Sequence, residues 1–176
     1  MNASPGVPER KLLTLAILVA LGVILHRVEA LLPLPSPWVK LGLANIMTLV
    51  ALVFLGFREA LVVTVLRIIL SSIFGGTFLG PTFFLSFIGG LAAMGAMVLA
   101  YRRGGGPFSL VGVSIAGAYA HTLAITFCVY LFFIRSAAFL HILPVFFCLS
   151  LVSGLLTGAA ANVLTGKLAG ESVAFK

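Results

Sequence analysis

The run KLLTLAILVALGVILHRVEALL, Lys11–Leu32, decides the fold. A helix crossing the hydrocarbon core of a bilayer takes about 20 mostly apolar residues, and this run supplies them with its charges gathered at the ends: Lys11 at the start, Arg27 and Glu29 near the finish. The same length criterion, carried outward, predicts five more spans at Leu41–Phe57, Ala60–Leu79, Thr82–Tyr101, Phe108–Ile134 and Leu140–Gly166. Turn chemistry separates most of them. Pro33, Pro35 and Pro37 break the first junction, Gly56-Phe57-Arg58-Glu59 the second, Gly75-Gly76 with Gly80-Pro81 the third, and Gly104–Pro107 the fourth. The fifth, Arg135–Leu140, has neither Gly nor Pro and is placed there because Phe108–Gly166 is too long for one helix.

Composition agrees with these lengths. Of 176 residues 61% are apolar and 9% charged, and the mean hydropathy of +1.25 excludes an ordinary soluble domain. The expected fold is an all-α integral membrane bundle of six transmembrane helices, with residues 11–166 in the membrane and 1–10 and 167–176 as cytoplasmic tails. Met1–Glu9 is polar and too short for a signal peptide, and no A-x-A site precedes the charged end of the first run, so that run reads as a retained helix. With the amino terminus inside, Arg10, Lys11, Arg58, Arg102, Arg103, Lys167 and Lys176 lie in the cytoplasm against Arg27, Lys40 and Arg135 outside. Seven cations against three favour that orientation.

Several reaction classes drop out. The four acids are Glu9, Glu29, Glu59 and Glu171, and there is no aspartate. Clustered carboxylates that hold diphosphate through Mg²⁺ therefore cannot be built, and no G-x-x-x-x-G-K-[ST] loop exists for ATP hydrolysis. The chain is read as a non-enzyme that calls for no cofactor or metal. Its net charge of +7 is spread between apolar runs and does not form a nucleic-acid patch. Cys128 and Cys148 lie in apolar segments and read as small hydrophobes.

Small residues at every fourth position let membrane helices approach closely. Gly112, Ala116, Ala120 and Ala124 form one such stripe, Gly154 and Gly158 (continued by Asn162 and Gly166) another, and Ala16 with Ala20 a short A-x-x-x-A pair. Each stripe packs helices within the chain or docks a second membrane protein.

Ionisable and amide groups inside a span are costly and are functional candidates by default. Arg67 is flanked by Val65-Leu66 and Ile68-Ile69-Leu70, too deep to snorkel easily. It either grips a solute or pairs with Glu29 or a buried carbonyl to fix packing. His121 sits midway along the fifth span and Asn45 about one turn into the second, each open to packing and binding readings. His26 and Glu29 share a helix face, while Trp38 and Lys40 in the proline-rich loop fit an interfacial anchor or a substrate cover. In a six-span topology these residues, with the Gly75–Pro81 loop, collect in the outer half as a pocket open to the outside. The fifteen Phe residues face that pocket or face lipid.

The motifs K-L-G-L-A-N (Lys40–Asn45), G-F-R-E-A (Gly56–Ala60), L-R (Leu66-Arg67), S-x-x-x-G-G-T (Ser71–Thr77), L-S-F-I-G-G-L (Leu85–Leu91) and G-V-S-I-A-G-A-Y-A-H (Gly112–His121) carry a resemblance. In order and spacing, from about Leu12 to Gly166, they resemble the Gx transporter family, also called heptaprenyl diphosphate synthase component I. That family is similar to the substrate-binding S components of energy-coupling-factor (ECF) vitamin transporters. The resemblance implies a multi-pass protein of the bacterial cytoplasmic membrane with an outward small-molecule site. It also implies a membrane T component docking at Ala16 and Ala20, and two cytoplasmic ATPases supplying the missing P-loop. The implied substrate site is Glu29, Trp38, Lys40, Asn45, Arg67, Ser86 and His121, taking a vitamin-like or isoprenoid-linked metabolite. Relatives commonly carry Asn and Gln where this chain has Thr122 and Ile125, which opens a difference in ligand. Two other readings stand beside it. One is a non-catalytic membrane subunit of a polyprenyl diphosphate synthase contacted through Arg58, Arg102 and Arg103. The other is a stand-alone secondary transporter, weakened by the lack of an inverted repeat.

Overall fold

The structure, a computed structural model, describes residues 7–32, 41–103, 109–136, 139 and 141–174. Among them the chain forms six helices and no strand: α1 Val7–Ala30, α2 Asn45–Phe54, α3 Phe57–Phe74, α4 Pro81–Arg103, α5 Leu110–Phe132 and α6 Leu143–Ala174. Four of these, α1, α4, α5 and α6, are long and apolar enough to cross a membrane. Trp38, Lys40, the three loop prolines and Gly104–Pro107 lie outside the described residues.

The second span departs from expectation. Leu41–Phe57 was read as one crossing helix, but α2 has only ten residues, about 15 Å of rise against a hydrocarbon core of about 30 Å. Positive φ angles at Gly42 (70°) and Gly56 (99°) bracket it, a conformation that ends a helix at little cost only for glycine. Every residue from Asn45 to Leu52 is buried. This short helix packs against α1, α3 and α6 as the plug of the bundle, in keeping with a helix apolar on all sides. Leu41–Ala44 is non-helical backbone tied to protein: Glu29 Oε1 accepts from the Gly42 N–H at 2.6 Å, and Ser153 Oγ of α6 donates to the Leu41 carbonyl at 2.5 Å. Backbone of that kind survives at membrane depth only when buried in protein.

Helix α3 also departs. It starts at Phe57, ends at Phe74, and carries Arg58, Glu59 and Arg67 in eighteen residues. Those three charges set it apart from the four helices apolar enough to cross a membrane. Helix α6 runs on to Ala174, beyond Gly166.

Helix ends align in two layers. At one, Lys11 pairs with Glu59 and Arg102 lies over the Phe57 ring at 5.5 Å. The Lys11 ammonium, hydrogen-bonded to it, holds the Glu59 carboxyl below its ordinary value. At the other, Arg27 lies against Gly75. Ser109 caps α5 by accepting from the Gly112 N–H, and Pro81 opens α4, a position where its missing donor costs nothing.

The interior is an apolar core, with Leu49, Val63, Met97 and Val113 fully buried, into which a few polar side chains are set. Arg67, Thr64, Ser71, Ser114 and Thr157 are buried, while Phe84, Phe127, Phe132 and Phe133 are exposed. Phe residues face outward or pack on one another, as Phe83 does on Phe78 and Phe87. Helix α6 closes on α5 through Gly158 and Gly154. A Cβ added there would stand 2.6 Å from the Val111 Cα and 2.8 Å from the Ile115 Cα, so this stripe packs within the chain. Between the two helices Ser114 pairs with Thr157 at 2.7 Å, and Thr122 with Ser150 at 2.5 Å.

Candidate functional site

Arg67 projects from α3 into the bundle and is 4% exposed. Glycines make room for it. A Cβ on Gly22 of α1 would lie 3.2 Å from the Arg67 Cδ, so that glycine admits the stem of the arginine. On the α4 side a Cβ on Gly90 would stand 2.6 Å from Ile68 Cδ1, and one on Gly89 would stand 2.9 Å from the His121 ring and from Ile125. The Gly89-Gly90 pair of the L-S-F-I-G-G-L motif thus lets α3 and α5 bring side chains inward.

The result is one small cavity lined by His26, Glu29, Gly42, Asn45, Arg67, Ile68, Ser86, Gly90 and His121. Five of the seven substrate-site residues expected from sequence stand around it: Glu29 from α1, Asn45 from α2, Arg67 from α3, Ser86 from α4 and His121 from α5. Each of the first five helices contributes one. Trp38 and Lys40 lie outside the described residues. No phenylalanine is among the lining residues. Thr122 is not among them either; its hydroxyl turns to Ser150 of α6, and Ile125 packs on Gly89 beside His121.

The cluster is tightly drawn. Arg67 Nη2 donates to Asn45 Oδ1 at 2.5 Å, while Glu29 holds the Gly42 N–H. Ser86 Oγ donates to the Thr82 carbonyl at 2.7 Å. Two buried polar atoms, Arg67 Nε and Ser71 Oγ, have no hydrogen-bond partner among the described residues. A buried polar group left unmade costs about 1–3 kcal/mol, so these two mark a site not optimised for packing alone. Sequence reading missed Ser71, Gly42 and the glycines that open the space as site residues, although Ser71, Gly42 and Gly89-Gly90 all lie within motifs it singled out.

The cavity measures about 20 Å³, room for one water and far below the roughly 300–1,000 Å³ of small-molecule pockets. The site is closed. Its lining of guanidinium, carboxylate, two imidazoles, amide and hydroxyl offers charge and hydrogen-bonding groups suited to a polar solute. Among the described residues no group of three or more His, Cys, Asp or Glu is placed to hold a metal ion.

A second feature lies on the outer face of α1 and α3. Leu12, Leu15, Ala16, Val19, Ala20, Val23 and Ile24 of α1, with Leu66, Leu70 and Phe74 of α3, line an open apolar groove of about 560 Å³. Ala16 and Ala20 are exposed and form its floor on the α1 side.

Comparisons place the chain among known proteins. A solved structure described as the S component of a bacterial ECF transporter superposes with a TM-score of 0.72 at 17% sequence identity, covering 92% of this chain and 96% of that one. At that identity the likeness shows a shared fold. No curated protein sequence matches the chain. The family model described as heptaprenyl diphosphate synthase component I matches residues 18–164, a stretch that holds the whole cavity and most of the groove. The chain belongs to the heptaprenyl diphosphate synthase component I family.

Proposed function

We propose that this chain is the substrate-binding membrane subunit, an S component, of an ATP-driven ECF-type importer for a small vitamin-like or isoprenoid-linked metabolite. The observation that carries the reading is the convergence of Glu29, Asn45, Arg67, Ser86 and His121, one from each of five helices, on a single buried cavity. Packing alone does not call for it, because every such group sunk in an oily bundle is expensive to insert. The S-component fold supports the same reading.

In this account the chain crosses the bacterial cytoplasmic membrane six times, with α2 and its non-helical lead making the second crossing. Residues 11–166 form the membrane domain, with tails 1–10 and 167–176 in the cytoplasm. The grouping of Lys11, Arg58 and Arg102 at one end of the bundle supports that orientation. Solute arrives from outside and displaces Leu41–Asn45, and Trp38 and Lys40 are retained as substrate-binding candidates on the family resemblance alone. The groove with Ala16 and Ala20 on its floor receives the T component, and two cytoplasmic ATPases drive reorientation and inward release. Small residues in an otherwise apolar groove suit close helix packing in lipid.

Ligand-dependent thermal stabilisation tests the site, because a ligand that binds only the folded chain raises its melting temperature. A vitamin and prenyl-precursor panel is expected to contain at least one stabiliser whose effect disappears in Arg67→Ala. A silent panel, with uptake unchanged in Arg67→Ala, would remove the pocket from the account.

The family description favours one second reading, a non-catalytic partner of a polyprenyl diphosphate synthase bound through Arg58, Arg102 and Arg103. Neutralising those three would then abolish association with the synthase, and Arg67→Ala would leave it intact.

A further inference from the structure

The guanidinium of Arg67 is half used along one edge. Nε and Nη2 share that edge of the planar group and point their N–H bonds the same way, the geometry that accepts two oxygens side by side. In the structure Nη2 meets the single amide oxygen of Asn45 at 2.5 Å, while Nε is buried with no partner among the described residues. One turn further along the same face of α3, Ser71 Oγ is buried and likewise without a partner there. A neutral amide offers one oxygen where the edge and the hydroxyl present three donors. A carboxylate or phosphate would satisfy them.

We infer, building on the substrate-binding reading above, that the solute carries an oxyanion, carboxylate or phosphate, that docks on the Nε–Nη2 edge of Arg67, takes a further bond from Ser71 Oγ, and displaces the Asn45 amide that stands in its place in the closed site. Asn45 is suited to being displaced. It is the first residue of α2, whose cap position is Ala44, and its side chain bonds Arg67 rather than the helix backbone, so its amide can leave without breaking the helical ladder. Its amide also lies over Gly42, where a Cβ would stand 3.2 Å from Nδ2, so freeing Asn45 loosens the non-helical Leu41–Ala44 segment that closes the cavity. Binding the oxyanion and opening the site are then one event. Glu29 lines the same cavity and is engaged with the Gly42 N–H, which leaves the charge of the bound group to be balanced by Arg67.

The test uses the full chain in lipid nanodiscs, melted at matched ionic strength with propionate, inorganic phosphate or the neutral isostere propionamide. Propionate or phosphate is expected to stabilise the protein and propionamide not to. Ser71→Ala is expected to weaken anion binding by about ten- to a hundredfold, as for loss of one charge-assisted bond. Asn45→Asp places a carboxylate against Arg67 within the chain. It is expected to raise the melting temperature of the empty protein and to remove the anion response. If that variant does not fold, Asn45→Ala, which removes the competitor, is expected to bind propionate or phosphate more tightly than the parent; equal or weaker binding overturns the inference. A folded Asn45→Asp protein that melts no higher than the parent also overturns it. Stabilisation by propionamide and not by the anions removes the oxyanion and leaves substrate binding standing, whereas silence toward every solute with an unchanged Asn45→Asp variant removes both.

Discussion

The α5–α6 interface and the cluster around Arg67 both bury polar side chains inside an apolar bundle, and they treat them in opposite ways. Between α5 and α6 the hydroxyls come in pairs, Ser114 with Thr157 and Thr122 with Ser150, and Thr157 and Ser150 also donate to carbonyls of their own helix. Gly154 and Gly158 bring the two backbones together. Around Arg67 the glycines instead clear space for long side chains, a cavity remains, and Arg67 Nε and Ser71 Oγ stay unmatched. The interhelical hydroxyls are satisfied where they stand, whereas Arg67 Nε and Ser71 Oγ keep bonding capacity in reserve, as the proposed ligand site requires. The contrast separates scaffold from site without reference to any relative.

Mutations can break that contrast from either side. The largest effect is expected from Arg67→Met, which removes the cation and strands Asn45 and Glu29; loss of one partner of a buried charged cluster costs about 3–5 kcal/mol. Chemical denaturation should show that loss, and uptake should vanish even at a temperature where the variant is folded. Gly158→Leu comes next. Its side chain would meet the Val111 backbone, and overpacking of this kind costs about 1–3 kcal/mol. The folded fraction should still bind ligand with parental affinity; a selective loss of binding would erase the line between scaffold and site. Thr157→Val removes one interhelical hydroxyl bond, for which about 0.6 kcal/mol is the expected loss, with the ligand response unchanged. The smallest effect on the chain itself belongs to Ala16→Trp with Ala20→Trp. Both positions are exposed, so the solitary protein should melt as the parent does and yet fail to co-purify with a T component. Retained association would sink the docking assignment.

Much of this was legible in the amino-acid sequence, for a reason rooted in the solvent. Water is absent from the core of a bilayer, so each apolar run of span length and each polar residue within one stands out against its background. Glu29, Asn45, Arg67 and His121 are therefore legible as candidates from the sequence, and Ser86 enters only through the family resemblance. What stayed hidden depends on neighbours. Leu41–Phe57 is long enough to span, and only the backbone shows that positive φ at Gly42 and Gly56 leaves a ten-residue helix between them. Ser71 opens the S-x-x-x-G-G-T motif but did not stand out as a site residue, because a serine in a membrane helix ordinarily bonds its own preceding turn, as Ser72 and Ser86 do. Gly166 and Gly170 do not stop α6, since a glycine inside a helix costs about 1 kcal/mol and does not break it. Which small-residue stripe faced inward was likewise beyond the sequence, because the spacing of Gly154 and Gly158 is the same as that of Ala16 and Ala20.

The central claim, that the unmatched cluster exists to hold a solute, is tested most directly by native mass spectrometry of the full chain released gently from nanodiscs formed straight from its own membranes. The account expects a population carrying one additional small molecule in the parent protein, and no such population in Arg67→Met. A parent spectrum identical to that of Arg67→Met, bare apart from lipid, would contradict it.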